Sequence, residues 1–169
     1  SFHNVAYGPR VHSGAGSLAA LGMEVRDVAG QGAPVLLVAD AGLKPFGIVD
    51  RAVDALAQAG LRPAIYAEIA GEPKEAQVEA ARRLGRSADA KAAICLGGGS
   101  ALDAGKLAAT LMSTDAPVAA FRLAARPLPA KAVPIVCVPT TAGTGSEMTG
   151  VSVVSGSDKV KYWFWGAEL

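Results

Sequence analysis

Two glycine-rich stretches and one aspartate hold the residues best suited to chemistry. The first stretch is Gly97-Gly98-Gly99-Ser100-Ala101-Leu102-Asp103-Ala104-Gly105-Lys106. It follows the apolar run 92–96 and leads into apolar positions at helical spacing, Leu102, Leu107 and Leu111. Strand, glycine turn and helix in that order leave several backbone N–H groups unpaired at the positive end of the helix dipole. Such a place suits an anion, most simply a phosphate or pyrophosphate. A tight turn that binds nothing is the alternative. Three consecutive glycines exceed what a turn needs and favour close approach of the backbone to a ligand. Ser100 is placed to cap the helix, with Asp103 three residues on to answer it as in a capping box. Lys106 reads as a solvated helix lysine.

The second stretch, Pro139-Thr140-Thr141-Ala142-Gly143-Thr144-Gly145-Ser146-Glu147, follows the apolar run 132–138. The hydroxyls of Thr140, Thr141 and Thr144 can each donate and accept; a polar turn held by its own side chains is the other reading. Asp40 ends the apolar run 35–39. A carboxylate there can take both hydrogen bonds of a ribose diol and repel a 2′-phosphate, or it can cap a turn.

These positions require strands that end at one edge of a sheet. Apolar runs at 35–39, 64–67, 92–96 and 132–138 alternate with helical patterns at 47–59, from Glu72-Pro73-Lys74-Glu75 to about Arg86, and from Ser100 to about Met112. Pro73 falls near the first position of its helix, where its missing N–H costs nothing. Residues 17–23 make a helical turn or two, residues 5–11 an edge strand with a turn, and 113–131 a long connection. The runs 151–154 and 162–165, joined by a polar turn, read as a hairpin. Strands separated by helices predict an α/β fold: a parallel sheet with flanking helices and a C-terminal β-hairpin. The hairpin ending Tyr162-Trp163-Phe164-Trp165 reads as a core strand or as surface that docks on a further domain or a partner subunit.

Composition narrows the function classes. The 169 residues suit one domain with a sizeable core, 51% being hydrophobic and 18% charged. A net charge of +1 with no basic or acidic run argues against a nucleic-acid surface or an electrostatic membrane anchor. No apolar segment has the length to span a bilayer, and Ser1-Phe2-His3-Asn4 does not open a secretory signal. Cys95 and Cys137 lie in apolar runs and read as buried free thiols, consistent with a reducing cytoplasm.

In the common dinucleotide fingerprint the glycines precede the acid by about 20 residues. Here Asp40 precedes the glycine turn by more than fifty. The glycine stretch, followed about forty residues later by Pro139-Thr140-Thr141-Ala142-Gly143-Thr144-Gly145-Ser146-Glu147-Met148-Thr149, resembles the iron-containing (group III) alcohol dehydrogenase family. That family includes maleylacetate reductases and glycerol dehydrogenases. The resemblance covers nearly the whole chain and implies that residues 1–169 form the family's N-terminal dinucleotide-binding domain, Rossmann-like and dehydroquinate synthase-like. It implies hydride transfer between a nicotinamide cofactor and an alcohol or carbonyl carbon.

Residue by residue, the resemblance implies that Gly98, Gly99 and Ser100 hold the pyrophosphate, with Gly97 beside them in the cofactor site, and that Asp40 sits on the adenosine ribose, favouring NAD over NADP. It places Thr140, Thr141 and Thr144 on the adenine and ribose side, Thr149, Val151 and Lys161 toward the nicotinamide, and Asp103 near the reacting centre. Where many members have an asparagine before a proline, this chain has Gly71-Glu72-Pro73. Members also carry a helical C-terminal domain whose aspartate and three histidines bind divalent iron or zinc, a Lewis acid toward the alcohol oxygen. This sequence ends at Leu169 and has two histidines, His3 and His12, both outside the motifs. The expectation is a chain that binds cofactor and is inactive alone, with no metal site of its own. The alternative is a nucleotide-binding module without chemistry. Expected partners are the dinucleotide, a small alcohol or carbonyl substrate in the full-length enzyme, and a second copy in a homo-oligomer.

Overall fold

The computed structural model describes residues 9–130 and 132–169. Four strands, β1 (Pro34–Asp40), β2 (Arg62–Ile69), β3 (Ala93–Gly97) and β4 (Ile135–Pro139), form one parallel sheet in the order β2-β1-β3-β4. Four helices join or flank them: α1 (Leu21–Ala29), α2 (Ile48–Gln58), α3 (Glu75–Ser87) and α4 (Gly99–Leu111). An antiparallel hairpin, β5 (Val151–Ser155) and β6 (Lys161–Trp165), completes the chain.

Alternation along β1 assigns its side chains to the two faces. Val35, Leu37 and Ala39 pack with Ile94 and Leu96 beneath α1 and α2, which contribute Leu21, Val25, Val49, Ala52 and Leu56. Leu36 and Val38 face the opposite way, toward Val78 and Ala81 of α3, and toward Ala104, Leu107 and Leu111 of α4. The hairpin docks on this second face through Val154 and Phe164, both fully buried, while Trp163 and Trp165 on the alternate positions are exposed. Its first strand is also tied to the segment before α3, where the Ser155 N–H donates to the Pro73 carbonyl at 2.8 Å. Helix α4 is enclosed by β1, β3, α3 and β5, which is why an all-round apolar helix suits that position.

Strand β1 lies between β2 and β3, so the chain passes to one side of it and then to the other. The carboxyl ends of β1 and β3 therefore diverge at the switch point where open α/β sheets bind ligands. Asp40 ends β1 and Gly97 ends β3.

Several boundaries differ from expectation. The edge strand expected at 5–11 falls partly outside the described residues, and residues 9–11 are irregular. The turn expected at 17–23 is a 3-10 helix, Ser17–Ala20, running into the longer α1. Pro73, expected near the first position of α3, stands two residues ahead of it, before the N-cap Lys74. Lys74 instead closes that helix end through its N–H, which donates to the Gln77 side chain at 2.9 Å. Cys95 is buried, but its register partner Cys137 on β4 is only partly so, because β4 is the sheet edge; both are free thiols.

Candidate functional site

Helix α4 begins at Gly99 with Gly98 as its N-cap, and no side chain caps it. The capping role expected of Ser100 is therefore not realised. Extended Gly98 (φ −78°, ψ −176°) starts the helix early and moves Ser100 into the first turn. The first-turn N–H groups of Gly99 and Ser100 have no acceptor among the described residues, which leaves a donor-rich turn at the strand ends. Gly97, at φ +147°, lets this turn close on its neighbours: a Cβ there would come within 2.8 Å of the Ala101 Cβ and 2.9 Å of the Asp40 Cβ.

The threonine loop covers the same turn. The Thr140 N–H donates to the Gly97 carbonyl at 2.9 Å. Thr141 lies against Gly98, and Thr144 and Ser146 against Gly99, each within 3.2 Å of where a Cβ would stand. The two glycine-rich motifs, about forty residues apart in sequence, are thus in direct contact. Asp40 caps the 3-10 turn Ala41–Phe46 by accepting from the Gly42 N–H at 2.8 Å through Oδ1. The local alternative read for it is therefore present, and Oδ2 carries no described bond.

On the hairpin side, a cleft of about 180 Å³ is lined by Glu72, Pro73, Ser100, Asp103, Val153, Ser155 and Lys161. Asp40 and the three threonines do not line it. Lys161 Nζ is 2.6 Å from Glu72 Oε1, and the Ser155 hydroxyl bonds Glu72 Oε2 at 3.3 Å. This ion pair holds the Glu72 carboxyl below its ordinary pKa. Glu72 was legible only as a departure from a pattern; its pairing with Lys161 spans the distance from the segment before α3 to β6.

Asp103 does not cap its own helix. Its Oδ2 accepts the Val153 N–H at 2.9 Å, and its buried Oδ1 has no hydrogen-bond partner among the described residues. Burial raises its pKa, with the Val153 N–H and the charge of Lys106 acting against that. Lys106 overturns the expectation of a solvated side chain. It is 1% exposed and donates to the carbonyls of Ser146 (2.8 Å), Thr149 (2.9 Å) and Val151 (2.6 Å). Burial lowers its pKa, partly offset by Asp103, whose Oδ1 lies 3.8 Å away. The signal was present: in 101–111 the charged residues are Asp103 and Lys106 alone, and a charge inside an apolar helix implies buried partners. Thr149 and Val151 thus meet the site through their backbones.

Uncapped donors, a glycine floor under hydroxyls and a strand-end carboxylate fit a dinucleotide. A metal is a different matter: among the described residues no group of three or more His, Cys, Asp or Glu could hold one. His12 stands away from the site with its Nε2 3.2 Å from Glu24, and His3 lies outside the described residues. Among the described residues no helix is long and apolar enough to cross a membrane.

The profile of the iron-containing alcohol dehydrogenase family matches residues 8–169. A long-chain-alcohol dehydrogenase of Geobacillus thermodenitrificans is 36% identical over 157 residues, covering 92% of this chain and 39% of that protein. A sulfoacetaldehyde reductase of Bilophila wadsworthia is 32% identical, covering 86% of this chain and 37% of its own length. Among solved structures, the sulfoacetaldehyde reductase of Bifidobacterium kashiwanohense in complex with NAD+ superposes with a TM-score of 0.81 at 26% identity, over 92% of this chain and 40% of that one. The NADH-dependent butanol dehydrogenase A of Thermotoga maritima gives 0.84 at 25% identity, over 98% and 42%. The chain spans well under half the length of each of these relatives.

Proposed function

The chain belongs to the iron-containing alcohol dehydrogenase family, and from that premise we propose that it is the cofactor-binding part of an oxidoreductase acting on a small alcohol or carbonyl compound. The observation that carries the reading is the contact between the uncapped glycine turn of α4 and the threonine loop at the switch point of the sheet. The N–H groups of Gly99 and Ser100 would bind the pyrophosphate of the dinucleotide, stabilised by the helix dipole. Asp40 would accept from the adenosine ribose through its remaining oxygen, which selects NAD over NADP because a 2′-phosphate would meet a carboxylate. Thr140, Thr141 and Thr144 would bound the adenine and ribose side. Thr149, Val151, Lys161 and Asp103 would bound the nicotinamide side, with Lys161 and Asp103 reaching it through the cleft. When bound, the nicotinamide ring supplies or accepts the hydride.

The described residues do not fit the family's metal, so iron or zinc is assigned to a part of the family's fold outside the described residues, and no step is derived through it. The substrate is assigned likewise to a pocket shared with that further part. Titration of the 169-residue chain with NADH, followed by nicotinamide fluorescence, tests the reading. Saturable binding is expected, with NADPH weaker. Absence of any saturable signal at millimolar NADH would overturn it.

A further inference from the structure

Apart from the bonds made by Lys106, the described hydrogen bonds of residues 141–149 are local: Met148 N–H to the Gly145 carbonyl and Ser146 N–H to the Thr144 hydroxyl. Thr140 is anchored before the loop and Gly150 after it, through Gly97 and Gly166. The described hydrogen bonds that tie the nine residues between to the rest of the molecule come from one side chain. An ammonium has three donors, and all three of Lys106 are spent on carbonyls at 146, 149 and 151. The nearest carboxylate oxygen, Asp103 Oδ1 at 3.8 Å, is beyond hydrogen-bond reach, so the lysine is not held there chiefly as half of an ion pair.

Burying a charge carries a desolvation cost that an apolar side chain of similar volume avoids. A methionine in this apolar helix would pack without that cost, yet it could not engage the three carbonyls that the loop and the hairpin start turn toward it. The same helix presents the donor turn at its first residues. Seven residues separate Gly99 from Lys106, about 10 Å along the axis, so α4 fixes both walls of the site, its own turn directly and the threonine loop through Lys106. Asp103 adds a parallel tie one turn earlier, through the Val153 N–H.

We propose that Lys106 is a positioning residue for the dinucleotide, clamping the threonine loop and the start of the hairpin against α4 and thereby setting how tightly the cofactor is held. The inference rests on the proposed reading of this site as a dinucleotide site, and the test separates the two. Backbone NMR order parameters of residues 141–149 are measured without cofactor in the wild-type chain and in Lys106→Met, and NADH affinity is measured by fluorescence in both. Leu56→Ala, on the opposite face of the sheet, serves as a control destabilised away from the site.

The expected result is lower order confined to 141–149 in Lys106→Met, with NADH binding weakened roughly tenfold or more and Leu56→Ala unaffected in both respects. Lys106→Gln, which keeps two donors, should fall between wild type and Lys106→Met, and it carries both readouts if the methionine variant does not fold. Unchanged loop order, unchanged NADH affinity, or a loss of affinity matched by Leu56→Ala would each overturn the proposal. A wild-type chain that does not bind NADH would overturn the dinucleotide reading, while the order parameters would still decide whether Lys106 holds the loop.

Discussion

The face of the sheet under α1 and α2 and the face under α3 and α4 are both close-packed, but they differ in what they bury. All the buried polar or charged residues among those described, Arg82, Lys106, Thr110, Ser152 and Ser155, belong to α3, α4 and β5. Three of them share a pattern. Arg82 donates to the carbonyls of Thr114 and Ala116, Lys106 to those of Ser146, Thr149 and Val151, and Thr110 to that of Glu168. Each reaches from a regular helix to a segment with little ladder of its own. The first face is an apolar layer and needs only complementary shape. The second must also fasten irregular chain, and apolar contact is non-directional, so directional donors are recruited from the helices.

The largest effect should come from the apolar face and leave the site alone. Leu56→Ala removes a fully buried side chain facing Val35 and Leu37, and its expected cost is about 2–5 kcal/mol of stability. The NADH affinity of the folded fraction should not change. A chemical denaturation curve with a parallel titration checks both, and a large loss of affinity would mean that the faces are not independent.

Gly105→Ala probes the other face. A Cβ there would stand 2.5 Å from the Cys95 Sγ and 3.0 Å from its Cβ, so α4 must lift from β3. The expected cost is about 1–3 kcal/mol, as for overpacking. Unlike Leu56→Ala it should also weaken NADH binding, because the displaced helix carries both the donor turn and Lys106. If stability fell with affinity intact, the coupling between this face and the site would be refuted.

What the sequence made legible divides along the same line. The sheet, its alternating helices, the hairpin and the glycine turn follow from local patterns: apolar runs, helical spacing and consecutive glycines. Residues 97–100 and 140–144 could be paired because each announces itself by composition. Lys106 could not be placed in the same way, since its three acceptors are backbone carbonyls 40 or more residues away and carry no side-chain signature. Ser100 looks like the cap, but Gly98 starts the helix two residues earlier than a serine rule expects. Asp103 looked like the answering half of that cap and instead binds Val153. Long-range fastening is what the sequence hides.

Asp40 stands at the end of β1, the strand common to both faces, and tests ligand selection with little disturbance to either. The one described bond of its side chain is to the Gly42 N–H. Asp40→Gly should lower the ratio of NADH to NADPH affinity by roughly tenfold, the worth of one charge-assisted hydrogen bond and a removed repulsion. Paired titrations with the two cofactors measure it, and an unchanged ratio would refute the ribose role.

The smallest effect belongs to Glu72, at the rim where the hairpin meets α3. Glu72 and Lys161 pair at 2.6 Å, but their side chains are 60% and 59% exposed, and such pairs are weak in water. Glu72→Gln should cost little stability. The sign with pH is nonetheless fixed. Lys161 holds the Glu72 carboxyl below its ordinary value, so the pair stabilises the fold above that ordinary value and the benefit disappears as pH falls through the lowered one. Wild type and Glu72→Gln should therefore differ in melting temperature near neutrality and converge in acid. The same substitution frees the Lys161 ammonium to face an anionic dinucleotide in the cleft, so NADH binding should tighten by about two- to threefold, more at low salt than at high. A melting gap that widens in acid would remove the ion pair from the account. Tightening that ignores salt would mean that Lys161 does not meet the cofactor's charge, and the rim of the second face would then be structural like the layer beneath α1 and α2.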